Sequence, residues 1–251
     1  MPTYGPHRIE SQKKVIERYI ESVEAESMDA VLHICDNNSP QEFKDYLKGL
    51  LEKYKDHEKV KLIVFFFKEN IGKARAVNQA YKQSRKCDLF CSMDSDMYIK
   101  NIGTFWGSFV EGVGVKLWNG LQAGAISTNQ VTGSVHNEHT LKKAFTINNH
   151  PFKSSGSRHG VAGSMLIMSS GLWEKVGGYM EYDNIFGGND GTLFYMIEGH
   201  KQIPIIAMDA QVDHIGENPK DYHQWKVQQA TTLKKGGGFK TGSGFYDKGD
   251  E

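Results

Sequence analysis

Asp94 and Asp96 stand either side of Ser95, directly after the apolar run Leu89-Phe90-Cys91-Ser92-Met93 and before Met97-Tyr98-Ile99. Where a buried strand leaves its sheet, two such carboxylates can meet a divalent cation at the rim without being buried. Mg²⁺ and Mn²⁺ favour oxygen ligands of this kind and commonly share them with substrate phosphates. The pattern points to chemistry on a phosphorylated substrate. Its bland counterpart is a solvated turn in which Asp bonds nearby backbone, so the pair gains meaning only from its surroundings. Lys73 and Arg75 follow Asn70-Ile71-Gly72 near an expected helix start, where amides and cationic side chains can meet phosphate or base. A solvated helix face is the alternative there.

The elements that must position these residues alternate along the chain. Ile9 to Ala25 places Ile9, Val15, Ile16, Tyr19, Ile20 and Val23 largely on one helical face. Ala30-Val31-Leu32-His33-Ile34-Cys35 reads as a buried strand, ending at the loop and helix-start signal Asp36-Asn37-Asn38-Ser39-Pro40 and leading into a helix from Glu42 to Tyr54. Lys61 to Phe67 is a continuous apolar strand of the kind found inside parallel sheets. A helix from Gly72 to Ser84 and the strand that delivers Asp94 follow. This order is that of a doubly wound, mostly parallel sheet flanked by helices, with ligands at the strands' carboxyl ends, where Asp36, Asn70 and Asp94 sit.

The second half is less regular. Gly103 to Trp118 reads as a helix weakened by glycines, and Gln122 to Ser127 as a short strand. Asn129 to His159 reads as a long surface insertion with room for a hairpin. Val161 to Met168 and Ile203 to Ala207 are strand candidates, and Gly191 to Gly199 and Asp221 to Lys235 helical ones. The Gly- and Lys-rich tail from Gly236 is expected to be mobile.

At 251 residues the chain can bury a sizeable core. Lys and Arg number 30 and Asp and Glu number 30, so no global attraction to nucleic acid or anionic membrane follows. The three cysteines, Cys35, Cys87 and Cys91, lie in or beside apolar strands and suit a reducing cytoplasm. The sequence has no transmembrane stretch of about 18 apolar residues.

Taken in order, these motifs resemble the family 2-like glycosyltransferases with a GT-A fold. Pro2-Thr3-Tyr4 resembles that family's opening turn, and Asp36-Asn37-Asn38-Ser39 its acidic base-binding loop. Asn70 to Ala80 resembles its Asn-x-Gly-x-x-x-Ala-x-Asn helix opening, and Asp94-Ser95-Asp96 its metal motif. Gly177-Gly178-Tyr179-Met180-Glu181 and Gly187-Gly188-Asn189-Asp190 resemble its acceptor-side motifs, and Val212-Asp213-His214-Ile215-Gly216 its late histidine. The resemblance spans roughly residues 1 to 216. It implies a GT-A catalytic domain over 1–218, with a nucleotide-binding half to about residue 100 and a smaller acceptor-binding half over 101–218. Residues 219–251 would form a C-terminal helix and flexible tail.

The resemblance also implies roles. Asp96 and His214 would hold Mn²⁺ or Mg²⁺, with Asp94 a third ligand or a contact to the ribose. Thr3, Tyr4, Asp36, Asn37, Asn70, Lys73, Asp94 and Gly163 would line the nucleotide-sugar site, with a UDP-sugar favoured. Asp190 would be the general base, a carboxylate within reach of the acceptor hydroxyl on the sugar face opposite the departing diphosphate. As the first residue of a helix it could also serve as a cap, worth about 1 kcal/mol. A cation bridging both phosphates would stabilise the leaving group. The implied reaction is metal-dependent transfer from a nucleotide-diphosphate sugar to an acceptor hydroxyl, inverting by single displacement. A retaining transferase, a nucleotidyltransferase, or an inactive sugar- or nucleic-acid-binding module are the alternatives. The acceptor is open between glycan, lipid-linked intermediate, protein and modified nucleic-acid base. Trp173, Tyr179, Tyr182, Phe186, Tyr222 and Trp225 surround the acceptor motifs, and most are expected to be core.

The chain departs from the family at three places. Asn189 stands where the family usually has Glu, and Asn37 where its base-binding loop often has Asp. The family's first strand precedes the Pro-Thr-Tyr turn, whereas this sequence opens with that turn. Either an upstream segment or another part of the chain fills the slot.

Overall fold

The computed structural model describes residues 1–3, 8–84, 87–132, 141–158, 161–181, 189–216 and 240–241. Its first half runs β1 (Pro2–Thr3), α1 (Ile9–Ala25), β2 (Ala30–Asp36), α2 (Gln41–Tyr54), β3 (Val60–Phe66), α3 (Gly72–Lys82), β4 (Leu89–Met93) and β5 (Met97–Ile99). The second half runs α4 (Gly107–Gly112), β6 (Gln122–Thr132), β7 (Lys143–Ile147), β8 (His150–Ser154), β9 (Met165–Ser169), α5 (Ser170–Val176), β10 (Met180–Glu181), α6 (Asn189–Gly199), β11 (Gln202–His214) and β12 (Lys240–Thr241).

The helical periods in the sequence become the buried stripes. α1 buries Val15, Ile16, Tyr19, Ile20 and Val23, and α2 buries Phe43, Leu47 and Leu50 at i, i+4 and i+7. Each such aliphatic side chain taken from water contributes about 1.5–3 kcal/mol. α5 is bounded by local chemistry: the Ser169 hydroxyl accepts from the Leu172 amide, and Gly177 closes it in the left-handed region at φ +80°.

Two sheets form. β1, β2 and β3 pair in parallel. The larger sheet has the order β4-β9-β6-β11-β8-β7, with β5 pairing antiparallel to β11. Within it β6 and β11 are parallel, and the other pairs are antiparallel.

Several elements differ from the sequence expectation. β3 is apolar apart from Lys61, yet among the described residues it pairs with β2 alone, and Ile63 and Phe66 are exposed. The helix expected over 103–118 is confined to α4. Its start is held by the Glu26 carboxylate, which accepts from the amides of Phe105, Trp106 and Gly107 at 2.6–3.2 Å. Asn129 to Thr132 is no surface insertion: β6 runs through to Thr132, with Thr128 and Gln130 buried. The expected hairpin is β7–β8. Lys240–Thr241, placed in the tail, pair with Met180–Glu181. The helix expected over 221–235 lies outside the described residues.

The Met1 ammonium donates to the His33 carbonyl at 2.7 Å, and its carbonyl accepts from Cys35, so β1 lies along β2 only at its carboxyl end. Beyond Met1, between β2 and β4, lies a cavity of about 870 Å³ lined by Leu32, Val77, Ala80, Phe90 and Met93 among others. Among the described residues no segment fills it. None of Asp94, Asp96, Asp190 and His214 lines this cavity.

Candidate active site

Asp96 and His214 meet because of strand register. β4 ends at Met93, and the turn that follows is fixed by the Asp94 amide donating to the Ser164 carbonyl at 2.7 Å. β5 then runs beside the end of β11, pairing Met97 with His214. The Ile215 amide donates to the Asp96 carbonyl at 2.8 Å. The side chains follow the backbone: His214 Nε2 lies 3.2 Å from Asp96 Oδ2.

A third group joins them from α1. Arg8, at the start of that helix, places Nη1 2.6 Å from the same Asp96 Oδ2. Asp96 is buried, and its other oxygen, Oδ1, has no hydrogen-bond partner among the described residues. Burial alone would push this carboxyl up, but the hydrogen bond and charge of His214 and the charge of Arg8 outweigh it and hold Asp96 below its ordinary value. The hydrogen bond to Asp96 in turn raises His214, against the opposing effect of burial.

Asp94 faces a different partner. Its Oδ1 lies 2.9 Å from Lys73 Nζ, which also lies 3.3 Å from Asp190 Oδ1 and 3.3 Å from the Gly163 carbonyl. Lys73 thus bridges Asp94 to Asp190, with the Tyr179 ring 5.5 Å away. Burial would pull the ammonium down, but the charges of Asp190 and Asp94 raise it well above its ordinary value. Asp94 is pushed up to about 6, by burial first and by repulsion from Asp96 and Asp190, against the pull of Lys73.

Asp190 lies in the first turn of α6, as its second residue. Gly163 packs directly on it: a Cβ there would fall 2.2 Å from Asp190 Cγ. Only glycine permits that approach. Behind this group, Asn78 on α3 fixes the strand that follows Gly178, donating to the Tyr179 carbonyl at 2.9 Å and Glu181 Oε1 at 2.8 Å and accepting from the Tyr179 amide at 3.0 Å. Gly178, at φ +78°, leaves Asn78 the room: a Cβ there would meet Asn78 Oδ1 at 2.6 Å. The Tyr179 hydroxyl reaches Ser92 on β4 at 3.0 Å. Tyr179 and Trp173 are core, as expected, whereas Tyr182, Phe186, Tyr222 and Trp225 lie outside the described residues.

The residues expected on the nucleotide side form a second group at the ends of β1, β2 and β3. The Asn37 amide donates to the Thr3 carbonyl at 3.0 Å, and Asn37 Oδ1 accepts from the Ile71 amide at 3.3 Å. Asn70 Oδ1 accepts from the Gly72 amide at 3.0 Å, opening α3. Asp36 is fully buried; Oδ1 accepts from the Ser39 amide at 3.0 Å, and Oδ2 has no hydrogen-bond partner among the described residues. Tyr4 lies outside the described residues. Arg75 points to Glu181 at 4.0 Å. Arg8 carried no sequence signal, since its ion pair spans 88 residues and follows no period.

Among the described residues no three His, Cys, Asp or Glu side chains converge as a ready-made metal cage. The pair Asp96 and His214, with the orphaned Oδ1, nonetheless suits a hard cation that takes its other ligands from substrate phosphates.

Residues 1–102 match the model of glycosyl transferase family 2. Among solved structures, the chain is similar to the mannosyltransferase PcManGT from Pyrobaculum calidifontis in complex with GDP-Man and Mn²⁺, at TM-score 0.59 and 16 % identity, covering 94 % of this chain and 63 % of that one. It is also similar to GalNAc-T7 with UDP, GalNAc and Mn²⁺, at TM-score 0.53 and 11 % identity, covering 76 % of this chain and 39 % of that one. The chain therefore spans less than two thirds of the length of either. No curated protein matches it in sequence. The fold these findings define is the GT-A fold, with the match to family 2 confined to residues 1–102. Among the described residues no helix is long and apolar enough to cross a membrane.

Proposed function

We propose that this chain is a metal-dependent glycosyltransferase that moves a sugar from a nucleoside diphosphate sugar to an acceptor hydroxyl with inversion, Asp190 acting as general base. The observation that carries the reading is the meeting of Asp96 with His214, one carboxylate oxygen left unpartnered, beside the Asp94–Lys73–Asp190 group. The relatives solved with GDP-Man or UDP together with Mn²⁺ support the donor class.

Asp96 and His214 would hold Mn²⁺ or Mg²⁺, with Asp94 next to them as the remaining acid of a DxD motif. The cation supplies positive charge to the leaving diphosphate. Thr3, Asn37 and Asn70 shape the nucleoside end, and the free Asp36 Oδ2 can accept an imide N–H. Uracil and guanine both offer one, so a UDP- or a GDP-sugar fits this acceptor. Asp190 takes the proton of the acceptor hydroxyl as its oxygen bonds to the anomeric carbon. The bond to the diphosphate breaks, and its electron pair leaves with the phosphate oxygen. Lys73 holds the Asp190 and Asp94 carboxylates apart and in place. The thiols of Cys35, Cys87 and Cys91 are all free, which suits a reducing compartment such as the cytoplasm.

NMR of the product formed from an α-linked donor tests the assignment. A β-linked product, lost in Asp190→Asn, is expected; a retained anomer, or full activity in Asp190→Asn, would overturn single displacement by Asp190.

A further inference from the structure

Arg8 occupies an unusual place for an arginine. It is the residue before the 17-residue helix α1, where Ser, Thr, Asp or Asn would cap the free amides and where a cation meets the positive end of the helix dipole. Its side chain makes no capping bond. Instead the guanidinium lies on Asp96 Oδ2, both side chains largely buried at 14 % and 10 % exposure. The first turn of α1 adds to this contact: the Gln12 amide approaches the Ser95 hydroxyl at 3.4 Å, and the Ser11 hydroxyl donates to the Arg8 carbonyl at 2.9 Å. Asp96 Oδ2 thereby receives both Arg8 and His214, while among the described residues Oδ1 receives nothing.

We propose that Arg8 is an internal counter-cation that competes with the divalent cation for Asp96 and is transferred to the donor's diphosphate when both bind. The inference rests on the assignment of Asp96 and His214 to the metal. A guanidinium at hydrogen-bond distance from the ligand oxygen repels an incoming dication and must give up a charge-assisted bond before the oxygen is free. The released guanidinium needs an anion, and a diphosphate is one it matches well. Metal alone then binds weakly, and metal with nucleoside diphosphate binds tightly. Arg8 is a positioning residue here: it acts on the cation through Asp96, and its release couples the two ligands.

The test is Mn²⁺ binding followed by electron paramagnetic resonance, with and without UDP or GDP, in the wild type, Arg8→Gln, Arg8→Lys and Asp96→Asn. Arg8→Gln is expected to bind Mn²⁺ alone about tenfold more tightly than the wild type and to lose most of the tightening that the nucleotide gives. Arg8→Lys, which keeps the charge, should stay near the wild type. A merely structural Arg8 would predict the opposite sign, with weaker Mn²⁺ binding in Arg8→Gln. Unchanged or weakened affinity in Arg8→Gln, with Asp96→Asn still abolishing binding, overturns the role of Arg8 alone. Mn²⁺ binding unaffected by Asp96→Asn overturns the metal assignment and this inference together.

Discussion

Replacing Gly163 by alanine places one methyl group against the candidate base. The added Cβ would stand 2.2 Å from Asp190 Cγ, 2.3 Å from its Cβ and 2.6 Å from Oδ2. Ordinary carbon contacts lie at about 3.5–4.0 Å, so Asp190 must withdraw by more than about 1 Å. Its 3.3 Å contact with Lys73 cannot survive a shift of that size in the direction away from Gly163, whose carbonyl binds the same ammonium. Overpacking of this kind costs about 1–3 kcal/mol of stability, which leaves the domain folded, whereas a misplacement of about 1 Å at a reacting group costs about a hundredfold in rate. The assay is nucleotide release from UDP- and GDP-sugars with Mn²⁺ and acceptor. Gly163→Ala should turn over about a hundredfold more slowly with donor affinity little changed, and the double variant Gly163→Ala/Asp190→Asn should be no slower than Asp190→Asn, because both act through one carboxylate. Wild-type turnover in Gly163→Ala, or losses that multiply in the double variant, would refute the link between Gly163 and Asp190.

Two further outcomes follow from buried polar groups. Asn78→Ala strips partners from the Tyr179 amide and carbonyl and from Glu181, and should cost about 2–4 kcal/mol in urea unfolding; a loss below about 0.5 kcal/mol would contradict the account. His33 is pushed down to about 4 by burial, with the Met1 ammonium adding to the effect, so between its unfolded value of about 6.5 and that value the unfolded chain binds the extra proton. Stability from this residue is present above about pH 6.5 and is lost as pH falls toward 4, and after allowance for partial exposure His33→Gln should reduce the loss between pH 7.5 and 4.5 by about 2 kcal/mol.

What the sequence made legible was whatever repeats or clusters locally. The amphipathic periods of α1 and α2 carry their own signal, and Asp94, Asp96, Asp190 and His214 stand in motifs whose order is informative. β6 and β11 were underread for a physical reason. Thr128, Asn129 and Gln130 look like loop residues, yet Asn129 donates to the Met208 carbonyl at 3.1 Å and Gln130 bonds to Ser164, so their polarity is satisfied inside the sheet. β11 passes a register shift between Ala207 and Gln211, which breaks the alternation that would have marked it as one strand. β3 differs in the other direction: its apolar run indicates a central strand, while pairing with β2 alone among the described residues leaves it partly exposed. Lys73 was expected near phosphate, and its placement between Asp94 and Asp190 depends on pairings 21 and 117 residues away that no local pattern encodes.

The most direct test of the central claim is calorimetric titration of UDP- and GDP-sugars into the wild type and Asp96→Ala, each with and without Mn²⁺. The account predicts that Mn²⁺ tightens binding of at least one donor to the wild type by about tenfold or more, and that Asp96→Ala loses this dependence. Donor binding that is indifferent to Mn²⁺ in the wild type, or a full Mn²⁺ effect retained in Asp96→Ala, would contradict it.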